Sequence, residues 1–165
     1  MKKIIFLFLM FSAMLFAKWE VEISYTTKGD VMTEFVTYDL VNQSSYIGIG
    51  VNVEGLGFST VTIEHKDIES KDSLVLIITD NEGNDMNCNF HSDDVEDYGI
   101  RVPSNRASVL TKMLYNGKSA VLKNRYTDEI MAKFDLRGIK QIIQKHVGNS
   151  YWYKYKLNVN FNLKE

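Results

Sequence analysis

Cys88 and His91 stand three positions apart, and a thiol beside an imidazole is the arrangement of a cysteine nucleophile or of two ligands to a soft metal. The residues around them, Met86-Asn87-Cys88-Asn89-Phe90, alternate as a strand does. Side chains three apart on a strand leave from opposite faces, so this pair does not converge on one atom. Cys88 instead shares a face with Met86 and Phe90, where a thiol behaves as a small apolar residue. His65 follows Val61 and Ile63 and ends an inward stripe, while His146 lies on the flank of a helical stretch beside Val147. Histidines so widely scattered read as packing or surface residues, and neither a metal nor a cofactor is expected.

Asp93, Asp94, Glu96 and Asp97 gather hard oxygen donors of the kind calcium takes. The glycine and the distal bidentate carboxylate of a calcium loop are missing from their places, so the cluster reads as a solvated loop and as an acidic surface for a protein partner. Gly48-Ile49-Gly50 followed by Gly55 looks superficially like a phosphate-binding pattern, yet no helix begins there to aim backbone amides at an anion. These glycines mark a strand that is twisted or closely approached. The sequence has no nucleophile elbow and no paired-zinc signature, and a Ser-His-Asp arrangement cannot be assembled from it. Catalysis is therefore not expected, and a small hydrolase stays only as an alternative.

The groups that could do chemistry must be positioned mainly by strands. Trp19, Val21, Ile23 and Tyr25 alternate with Glu20, Glu22 and Ser24 before a turn at Lys28-Gly29-Asp30. Met32, Val36, Tyr38 and Leu40 form a second stripe, interrupted by Glu34. Ile47, Ile49, Val51 and Val53 alternate with Gly48, Gly50 and Asn52, and Val61 and Ile63 follow among threonines. The continuous apolar run at 74–78 predicts a strand covered on both faces, turned by Asn81-Glu82-Gly83-Asn84 into a hairpin with 86–90.

Helical spacing appears twice. Ser104 is placed to cap a helix bearing Ala107, Val109, Leu110, Met113 and Leu114, stopped by Asn116-Gly117. A second helix runs from Leu136, after an Asp135 cap, through Ile139, Ile142, Ile143 and Val147. Both are amphipathic and must lie on a sheet. Between them, 119–125 and 129–134 predict a hairpin turning at Thr127-Asp128. Pro103 is the sole proline, and the chain has no linker, low-complexity tract or repeat. The expectation is an α+β fold: a mostly antiparallel β-sheet or sandwich, two amphipathic helices in the C-terminal half, and a final long strand.

That final stretch has the clearest pattern. Tyr151, Tyr153, Tyr155, Leu157, Val159, Phe161 and Leu163 hold the odd positions, and Lys154, Lys156, Asn158, Asn160, Asn162 and Lys164 the even ones, with Trp152 breaking the rule. Extended, it makes a ribbon of roughly 40 Å. It reads either as a last strand over the core, or as an exposed strand that joins a partner's sheet edge through Tyr151, Trp152, Tyr153 and Tyr155, the partner being another protein or a second copy of this chain.

Residues 1–17 carry the address. Lys2 and Lys3 form a basic n-region, 4–16 an apolar run broken only by Ser12, and Ala17 a small residue suited to precede cleavage, with Ala13 as a second choice. Lys18 and Glu20 close the run before the roughly 20 apolar residues a membrane span needs. The expected organisation is a secretory signal peptide at 1–17 and one β-rich domain at 18–165, with no stable span after cleavage. Taking Lys2 and Lys3 from the 19 basic residues leaves 17 against 21 acidic ones, a net charge of -4, with no basic run to follow a phosphate backbone. Nucleic acid is not an expected partner. One cysteine allows no internal disulfide, so packing must hold the domain despite the oxidising compartment. Two helices and short, uneven strands also argue against an outer-membrane barrel. A periplasmic or secreted bacterial protein is the expectation.

Tyr98-Gly99-Ile100-Arg101-Val102-Pro103, a capped helix ending at Asn116-Gly117, a hairpin, and Ala132-Lys133-Phe134-Asp135-Leu136-Arg137-Gly138-Ile139 follow in order. Over residues 98–147 this resembles the C-terminal half of the periplasmic VasI-like proteins associated with type VI secretion, in which a Phe-Asp-Leu-x-Gly strand leads into a helix. Members of that family carry cysteines able to pair, whereas Cys88 is alone. The resemblance implies a β-rich accessory or binding module of the envelope and transfers no active site. The functional expectation is an exported protein acting by protein–protein contact in a secretion or envelope assembly. The alternative is an inhibitor or protective protein that sets the loop at 92–99 into the cleft of a periplasmic enzyme.

Overall fold

The computed structural model describes residues 19–25, 31–52, 59–102 and 104–147. The expected leader, the turn at Lys28-Gly29-Asp30, Gly55, Pro103 and the ribbon at 151–163 lie outside the described residues. Among the described residues, ten strands form two sheets. The larger holds β1 (Glu20–Tyr25), β2 (Val31–Tyr38), β3 (Tyr46–Asn52), β4 (Ser59–Glu64), β7 (Val95–Glu96) and β8 (Gly99–Arg101) in the order β1-β2-β3-β4-β8-β7. The smaller holds β5 (Leu74–Asp80), β6 (Asp85–Phe90), β9 (Gly117–Asn124) and β10 (Ile130–Asp135) in the order β10-β9-β5-β6. Every pairing is antiparallel. Helices α1 (Ser104–Asn116) and α2 (Ile139–Val147) complete an α+β fold, with both helices in the C-terminal half. Among the described residues no helix is long and apolar enough to cross a membrane.

The core follows from the alternation. Phe35, Ile47, Ile49, Val51, Val61 and Ile63 line the inner face of the larger sheet, and Leu74, Leu76, Ile78, Leu122 and Phe134 that of the smaller, all essentially inaccessible. Helix α1 packs on β4 of one sheet and on β5 and β9 of the other, so Ala107, Leu110 and Leu114 bind the two layers together. Each large apolar side chain buried this way contributes about 1.5–3 kcal/mol.

Several elements depart from their sequence pattern. Trp19, just before β1, is buried and Val21 half-buried, but Ile23 on the same face is 67% exposed. On β2 the core side is Phe35 and Thr37, which the register sets opposite the inward Ile49 and Ile47. Met32 and Val36 lie on the other face and are nonetheless buried there, while Leu40 is exposed. Strand β5 is covered on one face only, with Val75 and Ile77 half-buried on the other. In α1, Val109 turns outward and Thr111 is fully buried, its hydroxyl donating to the Ala107 carbonyl at 2.7 Å. Asp135 ends β10 and does not cap α2: its carboxylate takes the Arg137 backbone N–H at 3.0 Å and grips the Arg137 guanidinium. Gly138, at φ +90°, then turns the chain so that the helix starts at Ile139.

Two features tie the layers. Asp39, buried after β2, forms an isolated bridge with Phe134 of β10. Its carboxylate accepts the backbone N–H groups of Lys133 at 2.7 Å, Asn42 at 2.6 Å and Val41 at 3.2 Å, and the Leu40 N–H donates to the Lys133 carbonyl at 2.9 Å. Gly117 joins α1 directly to β9, where an added Cβ would come within 2.6 Å of Leu136 Cδ1 and 2.7 Å of Ile78 Cγ2. Only a residue without a side chain fits that approach.

Candidate interaction surface

The acidic cluster singled out in the sequence is dispersed by its hydrogen bonds. Asp94 Oδ2 accepts Arg106 Nη1 at 2.6 Å and the His91 backbone N–H at 3.3 Å. Glu96 Oε2 pairs with Arg101 Nε at 3.2 Å across the β7–β8 turn. Asp97 Oδ1 accepts the Ser70 backbone N–H at 2.7 Å, which holds its carboxyl below the usual carboxylate range. Asp93 is exposed on a short 3-10 turn, Ser92–Asp94. The segment is also bound down through its backbone, Tyr98 N–H to the Ile68 carbonyl at 2.8 Å and His65 N–H to the Tyr98 carbonyl at 3.1 Å. Among the described residues no group of three or more His, Cys, Asp or Glu side chains is placed to hold a metal.

Cys88 packs half-buried against the core, and burial pushes its thiol up, opposed by the nearby Arg106 guanidinium. His91 lies beyond the end of β6 and is exposed, so the two do not act together. The Arg106 guanidinium is spent on Asp94, on the Asn89 carbonyl at 2.6 Å and on the Phe90 ring at 5.8 Å. His65 is buried, its Nδ1 accepting the Asp67 N–H at 3.1 Å, and it lines a polar cleft of about 600 Å³ with Asp39, Asp67, Asp72, Glu129 and Lys133. Tyr151, Trp152, Tyr153 and Tyr155 lie outside the described residues.

What the alternation builds, though no sequence motif marks it, is the outer face of the six-stranded sheet. With Phe35, Ile47, Ile49, Val61 and Ile63 pointing inward, Glu22, Glu34, Tyr38, Tyr46, Thr60, Thr62 and Glu64 must point out. The register sets Glu22 opposite Glu34, Glu34 opposite Gly50, Gly50 opposite Thr60, and Tyr38 opposite Tyr46, itself opposite Glu64. Gly50 is a closely approached position, whereas Gly48 makes only ordinary contact. A Cβ on Gly50 would meet Thr60 Oγ1 at 2.4 Å and Met32 Cε at 3.1 Å, and one on Gly48 would meet the Tyr46 ring at 3.6 Å. The Thr60 and Met32 side chains thus lie over the bare backbone at Gly50, and the face is called the platform below.

Its electrostatics are unbalanced. Burial first, and the facing Glu22 second, push the Glu34 carboxyl up. Among the described residues neither Glu22 nor Glu34 has an ion-pair partner. Burial and the hydrogen bond to Glu64 push the Tyr46 hydroxyl up, so it stays a neutral donor. Tyr38 and Tyr46 meet edge to face, ring centroids 6.2 Å apart. The tyrosine pair thus stands beside two carboxylates that have no ion-pair partner among the described residues. No family model, curated protein or solved structure matches the chain.

Proposed function

We propose that this is an exported protein of the bacterial cell envelope that acts by contact, as a binding or accessory subunit, and that the outer face of its larger sheet meets a basic surface on the partner. One observation carries the surface: Glu34, half-buried, faces Glu22 with no ion-pair partner among the described residues, beside the Tyr38–Tyr46 pair. Like charges directly opposite each other weaken a sheet, so the pair costs the free protein stability that a partner's lysine or arginine would return on binding. Tyrosine is enriched among the residues that dominate binding energy. The leader-like residues 1–17 support the compartment, and the resemblance of 98–147 to VasI-like proteins supports a place in a secretion assembly.

The test is site-specific photo-crosslinking in living cells. A photoreactive residue at Thr62, on the platform, is expected to trap one protein in the envelope fraction, and the same residue at Lys123, on the other sheet, is not. Retention of the uncleaved chain in the cytoplasm, or equal trapping from both positions, would overturn the reading.

A further inference from the structure

The cleft beside His65 is formed where the β2–β3 and β4–β5 connections meet the β9–β10 hairpin. At about 600 Å³ it is within the size range of small-ligand sites. His65 is the group in it that lacks a partner. The ring is only 6% exposed, and its Nδ1 accepts the Asp67 backbone N–H at 3.1 Å, which leaves the proton of the neutral imidazole on Nε2. Among the described residues this N–H finds no acceptor. It is not sealed in either, since the fully enclosed unpartnered side-chain atoms are Trp19 Nε1 and Ser45 Oγ. Because the ring lines the cleft, Nε2–H opens into it and calls for an acceptor oxygen on whatever enters.

The charge around that donor is lopsided. Five carboxylates line the cleft against the ammonium groups of Lys66 and Lys133, and Lys66 is paired with Asp67 at 3.3 Å. Asp39 is committed to three backbone N–H groups, and Asp72 to the Glu69 N–H at 3.0 Å and to Asn124 Nδ2 at 3.3 Å. Glu69 and Glu129 are different: both are exposed, and among the described residues their carboxylates have no hydrogen-bond or ion-pair partner. A concave surface with an excess of one sign concentrates the opposite charge. No three ligating side chains among the described residues are placed to hold a metal, which points to an organic cation. Val41, 87% exposed, and Ile130, 48% exposed, add apolar surface that the aliphatic stem of a basic side chain can cover.

We infer that this cleft binds a basic side chain presented on a peptide. Its charged head meets Glu69 and Glu129, its stem covers Val41 and Ile130, and a carbonyl of the peptide accepts the His65 Nε2–H. Glu22, Glu34, Tyr38 and Tyr46 of the platform do not line the cleft, so the inference stands or falls separately from the proposed contact.

NMR of the purified protein labelled at its histidine rings tests it, with acetyl-Ala-Lys-Ala-amide as the probe. The peptide is expected to move the His65 Nε2 resonance saturably, and to leave His91 and His146, which do not line the cleft, unmoved. Acetyl-Ala-Gln-Ala-amide, which keeps the carbonyls and loses the charge, should bind at least tenfold more weakly. Glu69→Gln with Glu129→Gln changes two exposed side chains and keeps the fold, and it should weaken the lysine peptide at least tenfold as well. A His65 signal that stays in place up to the solubility limit of the peptide would overturn the inference. So would an equal response to the uncharged peptide, or binding indifferent to the two glutamates.

Discussion

The carboxylate of Asp39 accepts the backbone N–H of Lys133 at 2.7 Å, joining residues 94 positions apart. Through this bond, and the Asp39–Phe134 bridge beside it, the end of β2 in one sheet is fastened to β10 in the other. The same carboxylate satisfies the N–H groups of Val41 and Asn42 in the connection to β3.

Asp39→Ala leaves three backbone donors without their acceptor at a buried position. A loss of about 3 kcal/mol is expected, since hydrogen bonds to charged groups contribute about 1.5–3 kcal/mol each and part of that is recovered from water. Asp39→Asn, which keeps one acceptor oxygen, should cost about half as much. Urea denaturation of the two variants checks both the size and the order.

Gly117→Ala pushes a methyl group against Leu136 and Ile78 where α1 passes straight into β9. Overpacking of this kind costs about 1–3 kcal/mol, and the thermal midpoint should fall accordingly. Gly83→Ala, in the β5–β6 turn where nothing lies within 4 Å, adds no clash and isolates the smaller backbone cost of a positive φ.

Glu34 gives a pH dependence of definite sign. Its carboxyl holds a proton to higher pH in the folded chain than in the unfolded one, because of burial and Glu22. The folded state therefore binds more protons as pH falls from neutral, and this group's contribution to stability rises on acidification. Glu34→Gln should be more stable than the parent at pH 7.5 by about 0.5 kcal/mol, the scale of a like-charge cross-strand pair. That advantage should shrink toward pH 4. Urea midpoints of parent and variant across this range make the comparison.

Local patterns were the legible part of the sequence. The two hairpins β5–β6 and β9–β10 were readable because Asn81-Glu82-Gly83-Asn84 and Thr127-Asp128 carry their own turn chemistry, with Gly83 and Asp128 both at positive φ. Strand β3 was readable because Gly48 and Gly50 alternate with the inward Ile47, Ile49 and Val51. Strand β2 was not, since Met32, Phe35 and Val36 are apolar on both faces and only pairing with Ile49 picks the core side. The start of α2 was obscured because Asp135 looks like a cap until Arg137 is seen to occupy it. Asp93, Asp94, Glu96 and Asp97 drew attention by adjacency, but three of these four carboxylates bind Arg106, Arg101 and Ser70, none of them within the cluster. The platform escaped notice for the opposite reason: Glu22, Glu34, Tyr46 and Glu64 are scattered in sequence, and only the strand register assembles them.

The central claim is that a partner docks on that platform, and the direct measurement is the affinity of the crosslinked partner for platform variants that keep native stability. Glu34→Lys and Tyr46→Ala are each expected to weaken binding tenfold or more, with Lys123→Glu on the other sheet leaving it unchanged. Binding that is indifferent to Glu34 and Tyr46, or lost with Lys123→Glu instead, would contradict the account.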